Sequence, residues 1–157
     1  MKALIVYYSR TGTTKKMAKL IAEEVRREGL EVDLKSVSEA KPEQLLDYDG
    51  IIMGSPTYYG SVASELKEFI DKSISIHGKL DGKIGAAFTS SASIGGGNES
   101  TILSILEAML IHGMIIQGDP DSDHYGPVAL EKIDKRCTSK CQRFAKRFAK
   151  LVKEMRS

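Results

Sequence analysis

Four hydroxyl side chains and one glycine directly follow the first apolar segment of the chain. The segment Ala3-Leu4-Ile5-Val6-Tyr7-Tyr8 leads into Ser9-Arg10-Thr11-Gly12-Thr13-Thr14, and a helical hydrophobic pattern follows at once. Hydroxyl groups and the free N–H groups at a helix start can bind a phosphate, and the helix dipole favours its negative charge. The loop has no cysteine, no Gly-Lys-Thr and no acidic pair, so it suits a phosphate that is held rather than transferred. Ordinary helix capping by Thr11 or Thr13 is the alternative for this loop taken alone.

A second loop of unusual composition follows the third predicted strand. It reads Ser55-Pro56-Thr57-Tyr58-Tyr59-Gly60-Ser61-Val62. Pro56 stiffens the exit from the strand, and Gly60 permits a backbone conformation that strains other residues. Flat, amphipathic tyrosine rings suit stacking on a planar ligand. Since adjacent side chains diverge, we expect one tyrosine to stack on the ligand, while the alternative is that one packs on a neighbouring helix.

A third loop is small and polar throughout. It reads Thr89-Ser90-Ser91-Ala92-Ser93-Ile94-Gly95-Gly96-Gly97-Asn98-Glu99. Three consecutive glycines cost backbone entropy, and close approach of a flat ligand to bare backbone groups would offset that cost. A plain turn with Asn98 as the helix cap is the alternative. Together the three loops predict a pocket with a phosphate at one end and a planar heterocycle at the other, which is the shape of flavin mononucleotide (FMN).

Strand and helix patterns alternate along the chain. Strands are predicted at 2–8, 31–36, 50–54, 83–89 and 114–118, with 124–130 continuing the last; helices are predicted at 13–28, 63–75, 98–112 and 135–156, with a short helical turn at 42–47. This alternation predicts an α/β fold with a parallel sheet and helices on both faces. Ligands of such sheets bind at the carboxyl ends of the strands, where the three loops would meet.

Composition limits the remaining possibilities. The chain has 157 residues, of which 41% are hydrophobic and 28% charged, as expected for one globular domain covering 1–157. We expect no membrane span, since no segment approaches ~20 uninterrupted apolar residues. The strand at the N-terminus predicts no signal peptide, and two cysteines indicate a reducing, cytoplasmic setting.

The charge is unevenly distributed. Nine Lys/Arg and two acidic residues lie between Asp134 and Ser157, so this segment carries a formal charge of +7 and the remainder −5. A solvated outer helix face is the interpretation we prefer, and a docking surface for an acidic partner is the alternative. Cys137 and Cys141, four residues apart in the same helix, are predicted to be buried or half-buried structural thiols rather than a disulfide.

Several other chemistries do not match the residues present. A phospho-receiver domain needs clustered acidic residues after the first strand, and a low-molecular-weight phosphatase needs a cysteine in the first loop. A P-loop NTPase needs Gly-Lys-Ser/Thr, and a dinucleotide-binding fold needs Gly-x-Gly-x-x-Gly there. An iron–sulfur protein needs more cysteines at short spacing. A bound cofactor therefore remains the best interpretation of the phosphate.

The ordered set of three loops resembles the flavodoxin family, and the resemblance covers nearly the whole chain. The matching sequences are S-R-T-G-T-T at 9–14, S-P-T-Y-Y-G at 55–60 and T-S-S-A-S-I-G-G-G-N-E at 89–99. The resemblance implies a doubly wound five-stranded sheet of order 2-1-3-4-5. It also implies non-covalent FMN, with its phosphate in 9–14 and its ring between 57–60 and 90–96. The implied cofactor-binding residues are Ser9, Arg10, Thr11, Gly12, Thr13, Thr14, Pro56, Thr57, Tyr58, Tyr59, Gly60, Ser90, Ser91, Ala92, Ser93, Gly95, Gly96 and His124.

Two activities of this family are compatible with the chain. One is a flavodoxin-type carrier that passes electrons between partner proteins without catalytic residues of its own. The other is an NAD(P)H-dependent quinone oxidoreductase with ping-pong two-electron transfer, because the segment 82–114 is similar to the tryptophan-repressor-binding-protein branch. That branch has a His-His-Gly-Met stretch and a tryptophan near the ring, whereas this chain has Ile111-His112-Gly113-Met114 and no tryptophan. We expect no metal, nucleic-acid or membrane partner, and a homo-oligomer is possible.

Overall fold

A computed structural model describes residues 1–157 and contains a seven-stranded sheet. The strands are β1 (Lys2–Tyr7), β2 (Glu31–Ser36), β3 (Gly50–Tyr58), β4 (Ser61–Val62), β5 (Ile84–Ser91), β6 (Ile115–Ile116) and β7 (Val128–Leu130). Their main order is β2-β1-β3-β5-β6, and all neighbours along this path are parallel. Both β6 and β7 pair with β5, one at each end of it, so they are two pieces of the fifth predicted strand. The α/β fold with its predicted strand order is confirmed.

Helices cover both faces of the sheet. They are α1 (Thr13–Arg27), α2 (Ser64–Lys72), α3 (Asn98–Ile111) and α4 (Lys135–Arg156), with short 3-10 helices at Pro42–Asp47 and Ser73–Ile76. One buried cluster joins α1 and α4 to the sheet through side chains such as Met17, Ile21 and Phe148. The other joins α2 and α3 to the opposite face through side chains such as Leu66 and Ile105. None of the helices combines the length and apolar character needed to cross a bilayer.

The second predicted loop is shorter than its sequence suggested, because β3 continues to Tyr58 instead of ending at Gly54. Ser55 and Pro56 remain paired with Thr89 and Ser90 of β5, so polar side chains here do not interrupt the ladder. The chain then folds back as an antiparallel hairpin between β3 and β4. Its turn is Tyr59-Gly60, with φ of 48° and 77°. Positive φ at both central residues is typical of the type I′ turn that suits the twist of a hairpin.

The basic helix α4 faces acidic groups of its own chain. Arg143 binds Asp119 with a nitrogen–oxygen distance of 2.6 Å, and Lys146 lies 3.5 Å from Glu24 of α1. The hydrogen bonds from Arg143 hold the pKa of Asp119 at about 2. These ion pairs partly neutralise the segment 134–157 within the molecule. Fewer of its basic side chains are therefore available to an acidic partner than the sequence suggested.

The two cysteines lie on the inner side of α4. Both are fully buried thiols, and their sulfur atoms are 3.9 Å apart. The hydrogen bond with Cys137 and burial raise the pKa of the Cys141 thiol. The prediction of buried thiols without a disulfide is confirmed.

Candidate functional site

A cleft of about 320 Å³ opens at the carboxyl ends of β1, β3 and β5. Each of the three predicted loops contributes to its walls. The lining residues are Arg10, Thr11, Thr13, Thr14, Pro56, Thr57, Tyr58, Ser90, Ser91, Ala92 and Glu131. Ten of these were singled out from sequence, and Glu131 was not.

The start of α1 is open at this cleft. Gly12 precedes the helix with φ of 106°, and no side chain caps the first turn. The amide N–H groups of Thr13, Thr14 and Lys15 have no acceptor within the protein. Since the first N–H groups of a helix need partners and carry the positive end of its dipole, they form a binding position for an anion.

The alternative role of this loop, ordinary helix capping, is not what the structure shows. The Thr13 hydroxyl donates across the cleft to the carbonyl of Glu131, at 3.2 Å, rather than binding its own helix. Ser9 does accept from the amide of Gly12, at 3.2 Å, which steadies the turn ahead of the helix. Both contacts shape the loop and leave the helix start uncapped.

Buried hydroxyl groups tie the strand ends together beneath the cleft. The hydroxyls of Thr14 and Ser90 are 2.8 Å apart, which joins α1 to the end of β5. Thr89 donates to the carbonyl of Ser55 at 2.7 Å, and the Thr57 hydroxyl lies 2.9 Å from that of Thr89. Hydrogen bonds between buried polar groups fix a single arrangement, because leaving either partner unpaired is costly. The floor of the cleft is therefore held in place before any ligand binds.

The adjacent tyrosines of the second loop diverge, as expected for neighbouring side chains, because Tyr58 ends β3 and Tyr59 begins the turn. Tyr58 lines the cleft and meets the ring of Tyr8 edge to face, with centroids 6.5 Å apart and planes at 80°. Tyr59 stands at the hairpin tip and is completely exposed. One aromatic ring thus belongs to the cleft wall, while the other stands free at the hairpin tip.

The second and third loops touch one another. A Cβ on Gly97 would overlap the backbone of Gly60, so the close approach requires glycine at position 97. The Ser100 hydroxyl donates to the Gly60 carbonyl at 2.8 Å. Asn98 does not cap α3; its amide donates to Ser91 Oγ at 3.0 Å and Gly97 precedes the helix instead. Gly95 and Gly97 both have positive φ, which glycine adopts without strain, and Gly97 also makes the close contact with Gly60. Two of the three consecutive glycines therefore have a structural reason.

Not every predicted residue reaches the cleft wall. Ser9, Gly12, Tyr59, Gly60, Ser93, Gly95 and Gly96 flank it without lining it. His124 lies elsewhere, in a neighbouring cavity of about 410 Å³ bounded by the third loop and residues 122–126. Its Nδ1 atom is 2.8 Å from the carbonyl oxygen of Asp119.

The donor set of the cleft fits a phosphate ester with a polar chain. Free amides at the helix start suit the phosphate, and hydroxyls of Thr57 and Ser90 lie farther along the strand ends. Arg10 supplies the cleft's one cationic side chain, and Glu131 its one carboxylate. Most donors that face the cleft are therefore neutral hydroxyls and amides, and its two charged side chains form no ion pair with each other.

Known proteins provide an independent comparison. The family model described as "Flavodoxin domain" matches residues 4–98. A flavodoxin of Aquifex aeolicus (strain VF5) is 42% identical, with 96% of this chain and 86% of that protein aligned. An NAD(P)H dehydrogenase (quinone) of Sinorhizobium fredii is 45% identical over 84% of this chain and 77% of that protein. Among solved structures, a flavodoxin from the domain Archaea has a TM-score of 0.82 and 29% identity, covering 98% of this chain and 99% of that one.

Proposed function

Because this chain belongs to the flavodoxin family, we propose that its cleft binds FMN and that the protein carries electrons between redox partner proteins. Members of this family bind FMN without a covalent link. The observation that carries the proposal is the uncapped start of α1, where the amides of Thr13, Thr14 and Lys15 have no acceptor in the protein. When bound, the flavin supplies one- and two-electron redox chemistry, and the protein supplies position and electrostatics.

Different loops of the chain hold different parts of the cofactor. The first loop, Ser9–Thr14, binds the phosphate through amides and hydroxyls, with Arg10 at its side. The pyrimidine side of the ring faces the end of β5 and the residue after it, namely Ser90, Ser91 and Ala92. Pro56, Thr57 and Tyr58 form the opposite wall, and Tyr59 and Gly60 reach over it from the hairpin.

The carbonyl of Gly60 lies at the hairpin turn, where it could accept a hydrogen bond from a bound flavin whose N5 carries a proton. In this structure that carbonyl already accepts from Ser100. A hydroxyl is free to rotate to another acceptor, and the Ser100 hydroxyl also lies 3.0 Å from the carbonyl of Gly97. Because a carbonyl oxygen has two lone pairs, the Gly60 carbonyl could accept from Ser100 and from a bound cofactor together, and Ser100 also has the Gly97 carbonyl as a partner.

Transfer to a partner protein is favoured by the apolar groups near the cleft. Tyr59 is fully exposed, Ile94 is 85% exposed and Tyr125 is 47% exposed. Exposed aromatic and aliphatic side chains are enriched in protein contact surfaces. A partner bound at the 55–60 and 92–96 loops would stand next to the ring edge.

An NAD(P)H-dependent quinone oxidoreductase is the second candidate. It is favoured by the 45% identity to an NAD(P)H dehydrogenase (quinone) and by the separate 410 Å³ cavity on the other side of the third loop. That cavity combines the apolar side chains Ile94 and Ile102 with His124 and Tyr125. It has the mixture of apolar walls and a few polar groups typical of a small-molecule site.

An anaerobic reduction of the FMN-loaded protein distinguishes the two candidates. For a carrier, NADH or NADPH leaves the flavin absorbance unchanged, while dithionite bleaches it and a redox protein or air restores it. For the enzyme, NAD(P)H alone bleaches the absorbance and a quinone restores it through many cycles. A protein that retains no FMN would overturn both.

The remaining parts of the proposal concern setting and organisation. A reducing, cytoplasmic setting agrees with two buried thiols 3.9 Å apart that form no disulfide. One FMN-binding domain over 1–157 is supported by β1 and α4, which lie at opposite ends of the chain and share one buried cluster. We propose redox proteins rather than nucleic acid as partners, and a homo-oligomer remains compatible with this function.

A further inference from the structure

Glu131 has a strained backbone at the edge of the cleft. It follows β7 directly and has φ of 59°, one of two non-glycine residues with positive φ. The amide of Lys132 donates to the carbonyl of Leu130 at 2.6 Å, which closes a tight turn around Glu131. A turn closed over three residues with a positive central φ is a rare and strained conformation, and glycine is the residue that adopts it at least cost.

Two further hydrogen bonds explain why the chain keeps this conformation. The amide of Glu131 donates to the Ser91 carbonyl at 2.8 Å, and its own carbonyl accepts from Thr13 at 3.2 Å. The Glu131 backbone therefore joins the first loop to the third loop on the open side of the cleft. All these contacts use backbone atoms of Glu131, so none of them requires a carboxylate.

The side chain of Glu131 places a negative charge beside the expected phosphate. It forms no ion pair within 4.0 Å, and neither does Arg10 across the cleft. Glu131 lines the same cleft as Thr13 and Thr14, and its carbonyl contacts the first residue of α1, so its carboxylate belongs to the surroundings of the helix start. The Debye length at physiological ionic strength is about 8 Å, the scale over which this charge can act on a phosphate. Like charges at this distance repel through solvent that only partly screens them.

We propose that Glu131 is a specificity-determining residue that weakens the cleft's hold on the phosphate group and so limits its preference for FMN over riboflavin. The inference rests on the proposed FMN site. The helix start and hydroxyls attract the phosphate, and the carboxylate opposes part of that attraction. The result is a cofactor that exchanges with free flavin more readily than the donor set alone would allow.

The test compares Glu131→Gln with the unchanged protein. Apoprotein is titrated with FMN and, separately, with riboflavin, and the dissociation constants are read from quenching of flavin fluorescence. Glutamine keeps the size and the backbone strain but removes the charge. FMN should bind about three- to tenfold more tightly to E131Q, while riboflavin affinity stays constant, because only FMN carries a phosphate.

Glu107→Gln is the matched control. Glu107 is exposed in α3 and makes no ion pair. Its substitution by glutamine changes the net charge by the same amount as Glu131→Gln. Its FMN affinity should equal that of the unchanged protein. The gain in E131Q should also shrink as salt is raised from 0.02 to about 0.5 M, since screening removes repulsion.

Each outcome has a separate meaning. Equal FMN and riboflavin shifts in E131Q, or weaker FMN binding, would overturn the role of Glu131 while leaving the FMN site intact. No FMN binding by any variant would overturn the proposed function itself. Glu131→Gly should bind FMN at least as tightly as E131Q does. Its free energy of unfolding should be higher than that of E131Q, because glycine also relieves the backbone strain.

Discussion

At the cleft, the side chain and the backbone of the same residue have different roles. Thr13 uses its hydroxyl to reach Glu131 while its amide stays free for a ligand. Thr14 uses its hydroxyl on Ser90 and its amide remains unpaired as well. The hydroxyl-rich sequence thus builds the walls of the site, and the backbone supplies the positive end of the helix. Substitutions that separate the two functions are informative.

Gly12→Ala tests the backbone conformation at the helix start. Gly12 has φ of 106°, where a Cβ is strained, and nothing lies within 4 Å of the place that a Cβ would take. We expect a loss of about 1 kcal/mol in the free energy of unfolding and a marked loss of FMN affinity, because relaxing φ reorients the free amides. Urea unfolding and FMN titration measure the two effects.

Gly29→Ala is the control for that substitution. Gly29 follows the other end of α1, with φ of 93° and the same open surroundings. It should lose a similar amount of stability and keep its FMN affinity. Equal loss of FMN affinity in both variants would show that general destabilisation, rather than the helix start, controls binding.

Thr14→Val tests the buried hydrogen bond under the cleft. Thr14 and Ser90 are both buried, and valine would leave the Ser90 hydroxyl without its partner. Protein stripped of flavin should lose about 1–2 kcal/mol in the free energy of unfolding. Thr14→Ser, which keeps the hydroxyl, should recover most of that loss in the same urea measurement. Identical stabilities for the valine and serine variants would rule out a role for this bond.

Whole elements were easier to predict than their ends. The alternation of apolar strands and amphipathic helices was sufficient to predict a parallel sheet with helices on both faces. The strand order came from the resemblance to the flavodoxin family. The sequence did not reveal the hairpin at Tyr59-Gly60, since polar residues continue a strand whenever the neighbouring strand offers a partner. Nor did it reveal Glu131, because positive φ at a glutamate depends on bonds to Ser91 and Thr13 that are distant in the chain. His124 followed an acidic loop as expected, but that loop turns toward α4.

The end of α3 carries a pH-dependent contact. His112 binds the Ser73 hydroxyl through Nε2 at 2.7 Å, and its buried Nδ1 has no partner. Burial, together with the nearby ring of His77, lowers the pKa of His112 below the ordinary value of 6.5. The unfolded chain therefore takes up this proton at a higher pH than the folded protein. The free energy of unfolding should fall as the pH drops from about 6.5 through the pKa that His112 has in the folded protein.

His112→Gln checks this expectation, since glutamine can still donate to Ser73 but cannot titrate. The free energy of unfolding, measured in urea at several values between pH 7.5 and 5, should depend less on pH in this variant. His124→Gln is the matched control, because it removes one imidazole outside this contact. An unchanged pH dependence in H112Q would contradict the assignment.

The molecule as a whole separates its framework from its cofactor site. Two buried clusters on opposite faces of the sheet hold the strands, and the acidic groups of α1 and the 119–123 segment balance much of the basic α4. The carboxyl edge of the sheet is left with the free amides, the hydroxyls and the exposed Tyr59. The proposed function would therefore confine binding and electron exchange to one edge, where a ligand could bind without rearrangement of the core.

The most direct measurement of the central claim is a fluorescence titration of the flavin-free protein with FMN. The flavin site described above predicts quenching that saturates at one FMN per chain, and Gly12→Ala should weaken it where Gly29→Ala does not. Absence of saturable quenching in the folded, unchanged protein would contradict the claim that this cleft is an FMN site.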